Sequence, residues 1–274
     1  MTSHYLAIDL GAESGRVMLG TLESGYISLK ELSRFSNKPK REGDNIYWNI
    51  PALVKGIRDG LVKAGALGQP ITSVSADAWG VDYVLIDNNG EIMEPVFHYR
   101  HPRTVNGEKK ALTKVDWPTL FDETGVQYML LNTSIQLCAE GSERLDMAKT
   151  ILTIADAFNY LLSGVAKIEV SMASTTQLYN PRLNCWSDRL IKDLRLPRSM
   201  FPEVVTSATT LGPLKPDFLE CSGLKNINVV SSLSHDTACA VAACPADSNR
   251  WAYISSGTWS LIGLELSEPI LTDD

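Results

Sequence analysis

The chain has 274 residues, 44% of them hydrophobic and 21% charged, the balance of a soluble globular protein able to bury one large core or two smaller ones. Its 25 Lys and Arg against 32 Asp and Glu leave a formal charge of −7, which argues against bulk nucleic-acid binding and obliges an anionic ligand to find a local positive site. No apolar run approaches the ~18 residues of a membrane span and no basic-then-apolar leader opens the chain. The five cysteines, without a CxxC pair or zinc-spaced histidines, read as reduced, mostly structural thiols of a cytoplasmic protein.

In chain order, Tyr5 to Leu10, Arg16 to Leu22 and Tyr26 to Phe35 read as three strands joined by short Gly-bearing turns, an antiparallel meander. The basic run KPKRE at 38 to 42 reads as a solvated loop. Pro51 sits where a first helical turn would start, and Leu53, Ile57 and Leu61 follow at intervals of four, predicting a helix to about Ala66. A strand from Ile71 to Ala76 ends at Asp77. In the stretch that follows, Trp79 and Asp82 either shape a pocket or pack a turn. His98, Arg100, His101 and Arg103 read as a polar loop, since HxxH lacks helical i, i+4 metal spacing and a nearby acid.

Residues of about 107 to 225 read as mostly helical. Leu152, Ala155, Phe158, Asn159 and Leu162 fall on one helical face, with Asp156 a buried structural acid. Pro197, Pro202, Pro213 and Pro216 punctuate a long loop region. A strand at Ile227 to Ser232 then leads into a polar turn with His235 and Asp236 and a small-residue helix.

Three turns carry the chemistry. DLGAESGR, Asp9 to Arg16, offers an acid, two glycines, a serine and an arginine. Gly11 and Gly15 admit phosphate oxygens close to the backbone, Ser14 and successive amides donate to them, Arg16 offsets their charge, and Asp9 suits hydrated magnesium. AYISSGTWSL at 252 to 261 is a second hydroxyl-and-glycine turn, holding Thr258. Asp236 is either the N-cap of the helix it opens or a general base aimed into a cleft by the strand end. An ordinary hairpin fits the first two turns equally well.

Together these turns resemble the actin-like sugar kinases, and within them the FGGY carbohydrate kinase family. The likeness extends through DAWGVDYVLID (77 to 87), FHYRHPRT (97 to 104), ETGVQYMLLNTSIQL (123 to 137), TIADAFNYLLSG (153 to 164), ASTTQLYN (173 to 180) and SHDTACAVAACPA (234 to 246), covering essentially the whole chain. The fold it implies is α/β, a ribonuclease-H-like mixed sheet with flanking helices and a helical insertion. The implied organisation is an N-terminal domain over 1–246, a crossover at CPADSNR, and in 247–274 the first hairpin of a second domain that is otherwise absent, so that this chain alone is expected to be inactive.

The resemblance implies phosphoryl transfer from ATP, with Mg2+, to the terminal hydroxyl of an open-chain ketose, L-rhamnulose first and L-fuculose as the alternative, or sugar binding without catalysis. By position, Ala12, Glu13, Ser14, Gly15, Arg16 and Thr258 would bind nucleotide, Gly80, His235, Asp236 and Thr237 would contact sugar, Asp236 would be the catalytic base, and Asp9 would hold Mg2+ through water. No nucleic acid or membrane is expected, and a homodimer is compatible. One position departs from the family wording: Ala78 stands where relatives commonly carry a threonine. Either a sugar-contacting hydroxyl or a strand-bracing one has been lost there, a difference of about 0.5–1.5 kcal/mol for one hydrogen bond.

Overall fold

A computed structural model describes residues 2–248 and 250–272. The first elements are β1 (Thr2–Leu10), β2 (Ser14–Glu23), β3 (Tyr26–Ser36), β4 (Lys40–Glu42), β5 (Asn45–Tyr47), α1 (Ile50–Gly65), β6 (Ile71–Ala78) and β7 (Tyr83–Ile86). Next come α2 (Thr104–Leu112), α3 (Trp117–Thr124), α4 (Thr133–Ala139), α5 (Ser142–Met147), β8 (Thr150–Thr153), α6 (Ile154–Ser163), β9 (Ile168–Glu169) and α7 (Val170–Thr175). They are followed by β10 (Tyr179–Asn180), β11 (Cys185–Trp186), α8 (Asp188–Asp193), a 3-10 turn at Arg198–Met200, β12 (Val204–Val205), β13 (Thr209–Pro213) and α9 (Pro216–Ser222). Last are β14 (Asn228–Ser231), α10 (Asp236–Ala242), β15 (Ala252–Ser256) and β16 (Ser260–Leu264).

The expected meander is present: β1, β2 and β3 pair antiparallel in sequence. Alternation writes the sheet, because successive side chains of a strand point to opposite faces and Leu6, Ile8 and Leu10 fall together on the buried one. The crossover through α1 brings β6 parallel to β1, and β14 adds parallel to β6, giving the order β13-β14-β6-β1-β2-β3. The carboxyl ends of three parallel strands, β1, β6 and β14, therefore open on one edge.

Helix α1 starts as its sequence predicts, with Pro51 in the first turn, the Asn49 side chain accepting from the Ala52 amide, and Leu53, Ile57 and Leu61 buried. Where β14 leaves β6, Asn159 of α6 takes over: its side chain accepts from Ala76 N at 3.0 Å and donates to Ala76 O at 3.2 Å. Asp156 is buried, as expected, accepting from Thr153 Oγ1 and the Glu169 amide.

Several expectations are corrected. Leu152 lies in β8, not on the α6 face, because the helix begins at Ile154. The proline-punctuated loop contains β12, β13 and the start of α9. Pro213 is tolerated at the end of an edge strand and Pro216 in a helix's first turn, the two places where a missing amide costs least. KPKRE is solvent-facing, but 40–42 form the strand β4, paired with β5. His98 and His101 lie in the loop between β7 and α2, as expected, but are buried there: His98 stacks on Trp48 at 4.2 Å, and His101 meets Phe97 edge-on at 4.9 Å. All five cysteines are free, yet Cys185, Cys221 and Cys244 are exposed, so fewer are structural than composition suggests.

The β15–β16 hairpin pairs with itself and not with the central sheet. Ile254 and Ile262, cross-strand partners, are 69% and 77% exposed. Of the two ranges assigned to separate domains from sequence, Met1, Asn249, Asp273 and Asp274 lie outside the described residues. No helix among the described residues is long and apolar enough to cross a membrane.

Candidate active site

Asp9 is the next-to-last residue of β1, and its parallel register partner on β6 is Asp77, an acid not singled out as functional from sequence. Its signal was available: like Asp9, it closes a parallel strand at the edge where ligands of open α/β sheets bind. The Asp77 carboxyl is pushed well above the usual carboxylate range, first by burial and then by the charges of Asp9 and Asp236, against the opposing pull of Arg16. The Arg16 guanidinium meets Asp9 directly, Nη2 to Oδ2 at 2.6 Å. Asp9, Asp77, Asp236 and Arg16 thus share one electrostatic neighbourhood.

The first turn is braced as a unit. The Gly11 amide donates to Ser14 O, the Asn37 amide to Glu13 O and Asn37 Nδ2 to Gly11 O, each at 2.9 Å. Asn37 is a second residue that sequence reasoning missed. Among the described residues, the amides of Ala12 and Glu13, between these anchors, have no backbone acceptor, so they are available to an anion. Gly15 is buried, and a Cβ there would stand 2.3 Å from the Phe35 ring, so close packing alone accounts for this glycine.

His235 and Asp236 follow β14. His235 is the residue before α10 and Asp236 its first, so Asp236 does not cap the helix. Its Oδ1 accepts from the Thr237 amide at 2.6 Å, while Oδ2 accepts no hydrogen bond among the described residues. His235 Nε2 lies 3.5 Å from Asp236 Oδ1, and burial lowers the imidazole pKa against the charges of Asp236 and Glu169.

This turn is held from two sides. The Ala78 amide donates to Ser234 O at 2.9 Å, and the His235 amide donates to Ser171 Oγ at 3.1 Å. Behind it stands Glu169, 0% exposed, whose Oε2 accepts from the Ser171 amide at 2.8 Å and the Ser234 amide at 3.3 Å, and whose Oε1 accepts from Ser207 Oγ at 2.6 Å. No motif signals Glu169 or Ser171, since only the packing of β9 and α7 under the 232–235 turn gives them this place. Ala78 itself is 0% exposed, and it is its backbone amide that meets the turn.

Gly80 is brought to His235: a Cβ on Gly80 would lie 3.2 Å from His235 Nε2 and 3.0 Å from Thr175 Cγ2. Trp79 and Asp82 prove to be packing residues. The fully buried Asp82 Oδ2 accepts from Trp48 Nε1 at 2.6 Å, Trp79 Nε1 at 3.0 Å and the Tyr99 amide at 3.3 Å, and Oδ1 accepts from Gln136 Nε2 at 3.0 Å. Burial raises this carboxyl to about 6 against those four hydrogen bonds. Thr258 stands exposed between β15 and β16, and its side chain makes no hydrogen bond among the described residues. Burial raises the nearby Tyr99 hydroxyl above its ordinary value, against the charge of Arg100.

The arrangement can hold an anion on the 12–13 amides beside Arg16 and offers a carboxylate oxygen on Asp236. The family model for the N-terminal domain of the FGGY family of carbohydrate kinases matches residues 4–243. The chain belongs to the FGGY family. Among curated relatives of this FGGY protein, the rhamnulokinase of Ligilactobacillus salivarius is 39% identical over 97% of this chain and 55% of its own length. That of Bacillus subtilis is 37% identical over 98% and 56%. The chain therefore spans about half the length of the curated relatives it matches. Among solved structures, a xylulose kinase from Lactobacillus acidophilus superposes with a TM-score of 0.86 at 12% identity, over 98% of this chain and 55% of that one. A carbohydrate kinase from Novosphingobium aromaticivorans gives 0.78 at 22% identity, over 94% and 56%. These likenesses show the fold, the actin-like architecture of the FGGY kinases.

Proposed function

We propose that this chain carries the sugar-facing and phosphate-facing residues of an ATP-dependent ketose kinase that converts L-rhamnulose to L-rhamnulose 1-phosphate in the cytoplasm, where its five free cysteines persist as thiols. The observation that carries the reading is the convergence of Asp236 with Asp9, Asp77 and Arg16 at the carboxyl edge of β1, β6 and β14. The names of the relatives support the sugar.

ATP, when bound, supplies the γ-phosphoryl group. The amides of Ala12 and Glu13, the Ser14 hydroxyl and the side chain of Arg16 would hold its phosphate oxygens, with Gly15 behind them and Thr258 on the hairpin side. A sugar hydroxyl is a weak nucleophile near neutral pH, so Asp236 would accept its proton at the carboxylate as the oxygen attacks the γ-phosphorus and the bond from that phosphorus to the departing ADP breaks. Gly80, His235 and Thr237 orient the ketose. Asp9 and Asp77 are the residues that would hold Mg2+: burial, and then the charges of Asp9 and Asp236, raise Asp77, and a cation would offset that negative charge. Asp9 would hold the ion through water, and the ion would offset charge on the phosphate oxygens. We also assign 1–246 to the N-terminal domain and 247–274 to the opening of a second. Support comes from the end of α10 at Ala242 and the self-paired β15–β16 hairpin.

A coupled ADP-release assay with L-rhamnulose, L-fuculose and D-xylulose tests the reading, on this chain by itself and within any longer polypeptide that contains it. Turnover highest on L-rhamnulose is the expected result. Preference for L-fuculose reassigns the sugar, and binding of ketose without ADP release in either polypeptide overturns the kinase reading.

A further inference from the structure

Val81 occupies a backbone conformation that its side chain disfavours. Its φ is +66°, and it is the one β-branched residue among seven non-glycine residues with positive φ in the described chain. The Asp82 amide donates to Gly80 O at 2.9 Å, closing a γ-turn centred on Val81, and positive φ makes it the rare, strained form of that turn.

Side chains from two distant elements hold it there. Thr133 Oγ1 and Gln136 Nε2, both on α4, donate to Val81 O at 2.6 and 3.2 Å. The Val81 amide donates to Thr175 Oγ1 of α7 at 3.2 Å. Thr175 and His235 also bound the space beside Gly80, so the clamp and the site share a residue.

A simple chain reversal would be served by glycine at position 81, which takes positive φ freely. Strain that surrounding structure over-determines collects where a ligand must be met in a set geometry. We propose that the γ-turn at Val81, clamped by Thr133, Gln136 and Thr175, is a positioning element that sets Gly80 against His235 as two sides of the ketose site. The inference rests on the ketose-kinase reading and adds to it the residues that set sugar affinity.

Calorimetry with L-rhamnulose and with ATP, alongside amide exchange at Asp82, tests it. Thr133→Val keeps the shape and removes one donor to Val81 O. It is expected to weaken L-rhamnulose binding about tenfold, the scale of one lost hydrogen bond, with ATP affinity unchanged and Asp82 exchange accelerated. Val81→Gly added to Thr133→Val restores L-rhamnulose affinity to within about threefold of the parent, because glycine needs no clamp. If Thr133→Val lowers thermal stability while both affinities stay put, or if Val81→Gly fails to rescue, the positioning role is overturned. A parent that binds no ketose even within a longer polypeptide containing this chain, with the Asp82 amide still protected, sinks the ketose-kinase reading instead and leaves a clamped turn of purely structural use.

Discussion

Asp9 and Asp77 are register partners on adjacent parallel strands, and the acid on β6 is the one that burial and its neighbours hold above the usual carboxylate range. Arg16 answers Asp9 directly, across the β1–β2 pair, and opposes the rise of Asp77, which burial leads and the charges of Asp9 and Asp236 follow.

That burial and repulsion together make Asp77→Asn a test of sign. A carboxyl whose folded pKa is raised contributes stability that is present below its unfolded pKa, about 3.9, and lost as pH rises through the folded value. The amide variant is expected to melt higher than the parent at neutral pH, by roughly 2–4 °C for each kcal/mol relieved, and to converge with it near pH 4. Thermal melts across that range check this, and a lower melting temperature at neutral pH would show the carboxylate to be net stabilising.

Asp236→Asn keeps the shape of the side chain and the acceptor for the Thr237 amide while removing the base. Turnover in the active enzyme should fall about 10² to 10⁴-fold, with the melting temperature little changed. Loss of less than tenfold would assign proton acceptance to another group.

Asp156 is raised to about 8, chiefly by burial and further by the charge of Glu169. Its protonated form is therefore built into the fold at neutral pH, and stability should decline as pH rises towards and through about 8. Urea unfolding on either side of that value should show the decline, and Asp156→Asn should flatten it. An equal decline in the variant would place the titration elsewhere.

Gly15→Ala should destabilise by about 1–3 kcal/mol, because the new Cβ overlaps a ring in a packed core. Phe35 is that ring, and a Cβ at Gly56 of α1 would meet it as well, at 2.4 Å. Phe35→Leu should recover part of the loss caused by Gly15→Ala, measured by chemical denaturation. Unchanged stability in the single variant would return Gly15 to the role of a phosphate-approach glycine.

Much of this protein was legible in its residues. Alternation in 5–10 and 16–22 marked strands with one buried face, Pro51 and the fourfold spacing after it marked α1, and the three polar turns at strand ends marked the site. These are local signals: a period, a cap or a turn is written in neighbouring residues. What failed locally failed for tertiary reasons. Leu152 fits the α6 pattern but pairs with Val84 in β8, and His98 and His101 look solvated but are covered by Trp48 and Phe97.

The sequence by itself determined the opening meander and α1, which rest on patterns over a short span, and, through motifs spread along essentially the whole chain, the family and the residues offered as base and phosphate ligands. Only the tertiary structure decided that Asp77 joins Asp9 and Asp236, that Glu169 and Ser171 hold the turn bearing His235, and that Val81 sits strained beside Gly80. Those relations depend on the register of β1 with β6 and on packing between segments about 60 to 90 residues apart or more, where charge, burial and hydrogen bonding are set by which strands are neighbours.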